Sequence, residues 1–319
     1  MDQVKKNRSE TMGIPSFRHK HIRTVLVVGA GFIGAGIAQV CAQSGYSVFL
    51  SDVNASALEK AKQGIEWSLS KLAQKGLLKE PVDLVLQRIV HEQTLRVPSN
   101  VDLIIEAATE MESTKLEIFA ELDRQAAPGA ILATSTSSIP ISRISKMTNR
   151  PQMVIGLHFF GPVPLNMLVE VVKGSQTLAE VVEETVTFVK SLGKTPIQVQ
   201  KDVPGFVINR IFFAAMREAV DLVDQGIVAH DDVDLGMRLG YGWTLGPFEI
   251  VDIMGLDTYA LITKLMRSLG EETLVPKSNM IEKMVKQGDL GRKARRGFYV
   301  YSCDGRPVKR SSGDKKSYI

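Results

Sequence analysis

A short glycine-rich segment near the start of the chain sets narrow limits on the fold. It follows the β-branched run of residues 24–28 and precedes residues 35–44, whose composition is helical. The next run, residues 47–52, again has the composition of a strand. The glycines of the segment follow a GxGxxG pattern: Gly29, Gly31 and Gly34. Strand, glycine turn, helix and strand together predict one βαβ unit of a parallel sheet.

The same turn has the chemistry of a dinucleotide site. Gly29 permits a tight turn, Gly31 lets a pyrophosphate approach the helix N-terminus, and Gly34 lets helix and strand pack closely. Asp52 ends the second strand, where it can accept both hydroxyls of an adenosine ribose and would repel a 2′-phosphate. Residues 53–54 offer no Arg or Lys to neutralise that phosphate. We predict NAD as the cofactor rather than NADP; the alternative is a glycine turn without a ligand.

Short apolar runs and helical stretches alternate as far as residue 201. The strands predicted after the βαβ unit are residues 101–106, 130–134, 153–158, 167–172 and 195–199. The helical stretches predicted among them include residues 55–77, 112–124 and 178–191. We therefore predict an α/β fold with a Rossmann-type, doubly wound and mainly parallel sheet.

The alternation stops at residues 201–205, and a helical composition follows. The helices predicted there are residues 206–225, 231–239 and 246–269. We predict four parts: a disordered basic arm at 1–22, an NAD-binding domain at 23–201, a helical substrate and dimerisation domain at 202–303, and a polar tail at 304–319. Several of these helices are apolar on more than one face, so we expect a homodimer.

The net charge of +4 is located in the two tails. Residues 1–23 carry +4 and residues 304–319 carry +3, which leaves −3 for the body between them. Because the body has no excess of basic residues, binding to nucleic acid has little support. The arm has the composition of a disordered extension, with a weak organelle-targeting segment as the alternative.

The remaining composition predicts a soluble, cytoplasmic protein that does not contact membranes. No apolar stretch approaches the ~20 residues needed to cross a bilayer, and the N-terminus lacks the apolar region of a secretory signal. Cys41 lies in an apolar helical pattern and Cys303 in a polar segment. Neither a disulfide framework nor a metal site is predicted from them.

A histidine and a carboxylate lie in two successive apolar runs. His158 ends the run 153–158, and Glu170 lies inside the run 167–172. Burying an unpaired carboxylate costs on the order of several kcal/mol, so Glu170 needs a partner. An imidazole held by a carboxylate through one nitrogen keeps the other free to take a proton. We predict that His158 is a general base oriented by Glu170; a hydrogen-bonded core histidine is the alternative.

Hydroxyl and amide groups accompany this pair. Residues 134–138, Thr-Ser-Thr-Ser-Ser, end another predicted strand; most can cap the turn, and one can orient a substrate oxygen. Asn209 lies on an apolar helical stripe that also holds Phe213, Met216 and Val220. An amide on such a face needs a hydrogen-bond partner. A buried hydrogen bond to another helix is the alternative to a functional role.

Taken in order, these residues resemble the L-3-hydroxyacyl-CoA dehydrogenase family, including the 3-hydroxybutyryl-CoA dehydrogenases of bacteria. The similarity runs from about Val25 to Tyr301. The segments that carry it are residues 29–31, 106–107, 136–138, 156–160, 162–164, 168–170, 202–206, 209–210, 246–249, 255–257 and 297–299. A match this dense is specific to the family but not to one substrate.

The resemblance implies a role for each site residue. It makes His158 the catalytic base and Glu170 its orienter, and it makes Ser137 and Asn209 the groups that position the oxygens of the substrate. Predicted cofactor contacts beyond the glycines and Asp52 are Phe32 and Ile33 of the turn and, by the resemblance, Glu110, Lys115, Ser137 and Lys293. Family positions that hold coenzyme A correspond to Ser68 and Lys75, seven residues apart on one helix face; a solvated face is the alternative.

The implied reaction is reversible, NAD-dependent oxidation of the 3-hydroxyl of an L-3-hydroxyacyl-CoA, as in fatty-acid or butanoate metabolism. Two positions depart from the family, which usually has Asn where this chain has Gly161 and Ser135. The missing amide at 161 removes a contact expected near the nicotinamide or the substrate. The resemblance therefore does not identify which acyl group the substrate carries. The alternatives are a dehydrogenase for carrier-bound hydroxyacyl groups or free hydroxy acids, and a non-catalytic NAD-binding protein.

Overall fold

The computed structural model describes residues 21–308. The predictions for the N-terminal arm up to residue 20 and for the tail from residue 309 lie outside these residues. The strands are β1 (Thr24–Val28), β2 (Ser47–Ser51), β3 (Ile89–Glu92), β4 (Leu103–Glu106), β5 (Ile131–Thr134), β6 (Val154–Phe159), β7 (Leu168–Lys173) and β8 (Thr195–Val199). The helices among them are α1 (Phe32–Gln43), α2 (Ala55–Gln74), α3 (Val82–Leu86), α4 (Glu112–Gln125), α5 (Ile141–Ser145) and α6 (Ala179–Ser191). The helices after the sheet are α7 (Ile208–Asp224), α8 (His230–Tyr241), α9 (Pro247–Met254), α10 (Leu256–Ser268) and α11 (Met280–Lys286).

Eight strands form one sheet in the order β3-β2-β1-β4-β5-β6-β7-β8. Neighbouring strands run parallel except β6 and β7, which are antiparallel. Side chains alternate between the faces of a strand, so Val25 and Val27 join one apolar core while Leu26 and Val28 join another. Apolar cores on both faces explain why all of β1 is buried. The predicted α/β fold with a mainly parallel, doubly wound sheet is confirmed.

The edge strand β3 was not predicted from the sequence. Its Val90 is 45% exposed, and His91 and Glu92 follow it. It pairs with β2 at the end of the sheet, where one side faces no further strand and polar side chains are tolerated. The strand therefore lacks the continuous apolar run that marks the central strands.

The prediction of a single helix at residues 246–269 is wrong. Gly255 separates α9 from α10 and has φ +98°, a backbone conformation that other residues rarely adopt. The short helix α11 was also not predicted. With α7 to α10 it surrounds a separate apolar core that includes Phe213, Phe248 and Tyr259.

Buried carboxylates fasten the end of the described chain to this helical core. Asp252 accepts hydrogen bonds from the N–H groups of Phe298 and Tyr299 and from the Tyr301 hydroxyl. Asp234 accepts one from the Tyr299 hydroxyl. Burial raises the pKa of Asp252 to about 6 although these hydrogen bonds act to lower it. The segment after α11 is thus part of the helical domain.

No helix within residues 21–308 combines the length and the apolar character that a transmembrane span requires.

Candidate active site

The carboxyl ends of four parallel strands meet at one edge of the sheet. Val28 of β1, Glu106 of β4, Thr134 of β5 and Gly156 of β6 are neighbours in register. The glycine turn follows β1, the hydroxyl turn follows β5, and His158 lies two residues beyond Gly156. In sheets of this kind ligands bind outside this edge.

The glycine turn has the shape that a pyrophosphate needs. Gly29 has φ +104° and its N–H donates to the Ser51 carbonyl at 2.7 Å. A Cβ at Gly34 would lie 1.8 Å from the Gly29 carbonyl oxygen, so a side chain there would break the packing of α1 on β1. A Cβ at Gly31 would meet nothing within 4 Å. Helix α1 begins beyond it with no side-chain cap, so its first N–H groups are open to an anion.

Asp52 is held in place by backbone N–H groups. Its Oδ2 accepts a hydrogen bond from Ala30 at 2.8 Å, and its Oδ1 accepts one from Asn54 at 2.8 Å. The carboxylate therefore lies beside the glycine turn with a fixed orientation, and each oxygen retains capacity to accept another bond. These features fit the adenosine end of NAD.

His158 and Glu170 form a buried pair across the antiparallel strands β6 and β7. They are directly opposite in register, and Nδ1 of His158 lies 2.6 Å from Oε2 of Glu170. Burial acts to raise the pKa of Glu170, but the bond to His158 and the N–H groups of Ile208 and Val207 outweigh it and lower that pKa. Glu170 is thus held as a carboxylate, which fixes the proton of the imidazole on Nδ1 and leaves Nε2 as the acceptor.

The second oxygen of Glu170 fastens the helical domain to the sheet. Oε1 accepts hydrogen bonds from the N–H groups of Val207 and Ile208 at 3.1 and 3.0 Å, at the start of α7. Asn209 follows in the first turn of α7 and is half-buried. Its side-chain amide has no hydrogen-bond partner among residues 21–308, so the buried bond between helices is not formed there. One carboxylate therefore positions His158 and the helix turn that carries Asn209.

Glu110 organises the hydroxyl turn after β5. Its Oε1 accepts hydrogen bonds from the Ser137 N–H at 2.9 Å and the Ser138 hydroxyl at 2.7 Å, and from the Thr136 hydroxyl. The Ser137 hydroxyl itself lies 3.4 Å from the same oxygen. Burial acts to raise the pKa of Glu110, whereas Lys115 and the hydroxyl groups lower it more. Ser137 is therefore attached to Glu110 mainly through its backbone, with its hydroxyl weakly held.

Lys115 lies inside an ion pair that sequence reasoning missed. Its ammonium is 2.7 Å from Oε1 of Glu106 and 3.4 Å from Oε2 of Glu110, and its side chain is 1% exposed. Glu106 ends β4 and also accepts a hydrogen bond from the Thr134 hydroxyl at 2.7 Å. A carboxylate at the end of an apolar run marks Glu106 as unusual, but nothing in the sequence identifies its partner.

Lys293 is the one predicted cofactor residue that belongs to the helical domain and not to the sheet domain. Its Nζ donates to Asp257 at 2.6 Å, and both side chains are partly exposed. The pair lies in the helical domain beside Gly255. Phe32 and Ile33, by contrast, begin α1 directly after Gly31, and the Phe32 side chain is 70% exposed.

Helices α1 and α2, together with residues 162–165, enclose a cavity of about 750 Å³, the α1–α2 groove. Ser68 and Lys75 both line it, and the groove begins at Gly31 and Phe32 of the glycine turn. Lys75 directly follows the last residue of α2. The groove therefore joins the two predicted coenzyme A positions to the cofactor turn.

The two departures from the family pattern have structural consequences. A Cβ at Gly161 would lie 2.6 Å from Cε1 of Phe32, so the Phe32 ring occupies the space that a side chain at 161 would use. The Asn166 amide donates to the Gly161 carbonyl at 2.6 Å. The hydroxyl of Ser135 is buried and has no hydrogen-bond partner within the described residues.

Comparisons with known proteins agree with this geometry. Residues 24–203 match the family described as 3-hydroxyacyl-CoA dehydrogenase, NAD binding domain, and residues 205–301 match its C-terminal domain. A probable 3-hydroxybutyryl-CoA dehydrogenase of Bacillus subtilis is 40% identical over 282 residues, which cover 88% of this chain and 98% of the relative. The mitochondrial hydroxyacyl-coenzyme A dehydrogenase of Homo sapiens is 39% identical over 288 residues, 88% of this chain and 91% of the relative.

A solved structure extends the similarity to the fold. The (S)-3-hydroxybutyryl-CoA dehydrogenase of Ralstonia eutropha has a TM-score of 0.82 and 38% identity, covering 88% of this chain and 99% of its own. The similarity covers both domains. The chain therefore belongs to the 3-hydroxyacyl-CoA dehydrogenase family and is an oxidoreductase that uses NAD.

Proposed function

We propose that this protein oxidises the 3-hydroxyl of an L-3-hydroxyacyl-CoA, such as 3-hydroxybutyryl-CoA, to the 3-ketoacyl-CoA, and that it catalyses the reverse reaction. The observation that carries the proposal is the buried contact of 2.6 Å between His158 Nδ1 and Glu170 Oε2. It lies at the sheet edge that also holds the cofactor turn. The names of the relatives at about 40% identity support the same reaction.

His158 carries the proton chemistry in this proposal. Its Nε2 accepts the proton of the 3-hydroxyl while a hydride leaves C3, so the C3–O single bond becomes a carbonyl. Bound NAD supplies the hydride acceptor. Glu170 stabilises the resulting imidazolium through the hydrogen bond from Nδ1, which in enzymes of this type keeps the base correctly oriented. In the reverse direction His158 returns the proton to the oxygen.

We assign the remaining site residues to positioning. Ser137 and Asn209 hold the oxygens of the substrate, since the Asn209 side-chain amide has no partner within residues 21–308 and the Ser137 hydroxyl is weakly held. Ser68 and Lys75 hold the coenzyme A portion in the α1–α2 groove. The proposed cofactor contacts are Gly29, Gly31, Phe32, Ile33, Gly34, Asp52, Glu110, Ser137 and Lys293, while Lys115, whose side chain is 1% exposed, acts through its ion pair with Glu110.

A substrate panel tests the reaction. Purified protein receives NAD and the L-3-hydroxyacyl-CoA esters of increasing chain length, with the D isomers and a carrier-protein-bound 3-hydroxybutyryl group as comparisons. We expect NADH absorbance with L-3-hydroxybutyryl-CoA and little with its D isomer. Inactivity on every CoA thioester would reject the proposal, and activity only on the carrier-bound group would reassign the substrate.

We also propose a homodimer formed through the C-terminal domain, residues 202–303. Leu239 and Tyr241 of α8 are 78% and 81% exposed, Ile253 of α9 is 50% exposed and Leu261 of α10 is 63% exposed. Apolar exposure of this kind supports burial against a second copy. A cytoplasmic location is supported by the two free cysteines, which suit a reducing compartment.

A further inference from the structure

Trp67 is the largest side chain in the α1–α2 groove and is left open to solvent. It lies on α2 beside Ser68, and 66% of its surface is exposed. No aromatic ring among residues 21–308 stacks on its indole. Tryptophan is normally well buried, so a free indole face inside a groove is a surface on which a planar ligand can stack.

The helix turn before Trp67 carries a glycine without a structural cause. Gly64 lies in the interior of α2, where glycine is less favourable than alanine, and it lines the groove. A Cβ at this position would meet nothing within 4 Å, so no contact in the described chain requires glycine. The missing side chain keeps the floor of the groove flat next to the indole.

The same face of α2 is basic. Lys60, Lys71 and Lys75 line the groove, and none of its lining residues is acidic. Positions 60, 64, 67, 71 and 75 are spaced three or four apart, which places them along one side of the helix. A flat apolar platform with ammonium groups on both sides suits a nucleobase that carries phosphates.

We propose that Trp67 stacks on the adenine of the coenzyme A carrier over the open backbone at Gly64, while Lys60 and Lys71 contact its phosphates. This inference rests on the assignment of an acyl-CoA substrate and goes further, because it makes Trp67 the residue that selects the carrier. A phosphopantetheine group on a carrier protein has no adenine and a single phosphate. Trp67 therefore favours free CoA thioesters over carrier-bound ones.

Steady-state kinetics of Trp67→Ala test this selection. We expect its KM for L-3-hydroxybutyryl-CoA to rise roughly tenfold, the loss typical of one base stacked on an aromatic ring, with kcat unchanged. Its KM for the pantetheine thioester of the same acid stays constant, because that substrate lacks adenine. Trp67→Phe, which keeps a stacking face, retains most of the affinity. An unchanged KM for the CoA ester, or an equal rise for both thioesters, would overturn the inference.

A binding measurement separates this inference from the proposed reaction. In a Trp243→Phe background the remaining tryptophan is Trp67, and saturating NAD keeps the glycine-turn site filled. We expect CoA and adenosine 3′,5′-bisphosphate to quench its fluorescence, and pantetheine not to. Absence of quenching by CoA rejects the role of Trp67 even if hydroxyacyl thioesters are oxidised. Quenching without turnover of any thioester rejects the reaction and leaves the nucleotide platform standing.

Discussion

At the scale of single residues, the register between β6 and β7 determines whether the site exists. His158 and Glu170 are opposite each other in this antiparallel pair, so both side chains lie on the same face of the sheet. A shift of one residue in either strand would turn one of them to the other face. Glu170 also accepts hydrogen bonds from the N–H groups at the start of α7. The same register therefore fixes the position of the helix turn that carries Asn209.

Replacing His158 by Gln is expected to remove catalysis and preserve the cofactor site. Gln has no group that accepts a proton near neutral pH, so kcat should fall by roughly 10²–10⁴-fold. Binding of NADH, measured by its fluorescence, should remain near the wild-type value because the glycine turn is unchanged. His91→Gln in the edge strand β3 is the matched control and should retain full turnover. Near-normal turnover of His158→Gln would exclude this residue from the mechanism.

The ionisation of Glu170 should be visible in the pH dependence of stability. Its pKa in the folded protein is lowered, so it contributes stability above its unfolded-state pKa of about 4.3, and this contribution is lost as the pH falls through the folded pKa. The melting temperature of Glu170→Gln should lie below wild type near pH 7, and the gap should close on acidification towards pH 3. A gap of constant size between pH 7 and pH 3 would contradict the assignment.

Gly161 and Phe32 should behave as a coupled pair. A Cβ at position 161 would lie 2.6 Å from the Phe32 ring. Gly161→Asn alone must displace that ring and should lower kcat/KM for NAD, whereas adding Phe32→Ala removes this contact and leaves Ile33 Cδ1, 3.2 Å from the new Cβ, as the nearest remaining neighbour. A double-mutant cycle should give a coupling of about 0.5–3 kcal/mol. Strictly additive effects of the two substitutions would show that the contact has no energetic consequence.

Sequence patterns pointed to candidate site residues whose surroundings are unusual and missed contacts that depend on a distant partner. His158 and Glu170 could be found because polar side chains interrupt apolar runs. The ion pair of Glu106 with Lys115 could not be found, since the sequence gives no sign that a helix lysine reaches back to a strand end. The Phe32 ring over Gly161 was equally hidden, because it depends on how α1 meets the loop after β6.

At the scale of elements, short loops carry information that strand composition does not. Eight residues, 160–167, connect β6 to β7. A parallel crossover needs a dozen or more, so this length alone could have predicted the antiparallel pair. Strand β3 is different: His91 and Glu92 belong to an edge, and no pattern distinguishes such a segment from a loop. Gly255 marked the break between α9 and α10, but a glycine inside a helical pattern is ambiguous.

Two glycine substitutions should have opposite effects on the elements that contain them. Gly64→Ala in α2 should raise the free energy of unfolding by about 0.5–1 kcal/mol, because alanine is the better helix former and its Cβ meets nothing. Gly34→Ala in α1 should destabilise the fold, since its Cβ would lie 1.8 Å from the Gly29 carbonyl oxygen. Urea unfolding of both variants measures the difference. A destabilised Gly64→Ala would mean that α2 requires glycine for its own packing.

At the scale of the whole molecule, the proposed site joins parts of both domains. The sheet supplies the glycine turn, His158 and Glu170, while α7 supplies Asn209. The separate core of the helical domain keeps α7 in place, and Glu170 attaches its first turn to the sheet. Sequence alone predicted both domains, but not the contact through which one carboxylate connects them.

The exposed apolar residues of α9 and α10 should bury against a second copy of the chain. Met266 of α10 packs inside its own protomer at 1% exposure, whereas Ile253 and Leu261 remain 50% and 63% exposed. Sedimentation velocity should give a particle of twice 35.0 kDa for the wild type. The double variant Ile253→Glu and Leu261→Glu should be a monomer, because unpaired carboxylates are strongly disfavoured in an apolar interface.

Leu77→Glu, at a residue of the sheet domain that is 66% exposed, is the control and should remain a dimer. A wild-type species of 35.0 kDa would reject the proposed homodimer. A double variant that remains a dimer would show that the interface does not involve α9 and α10.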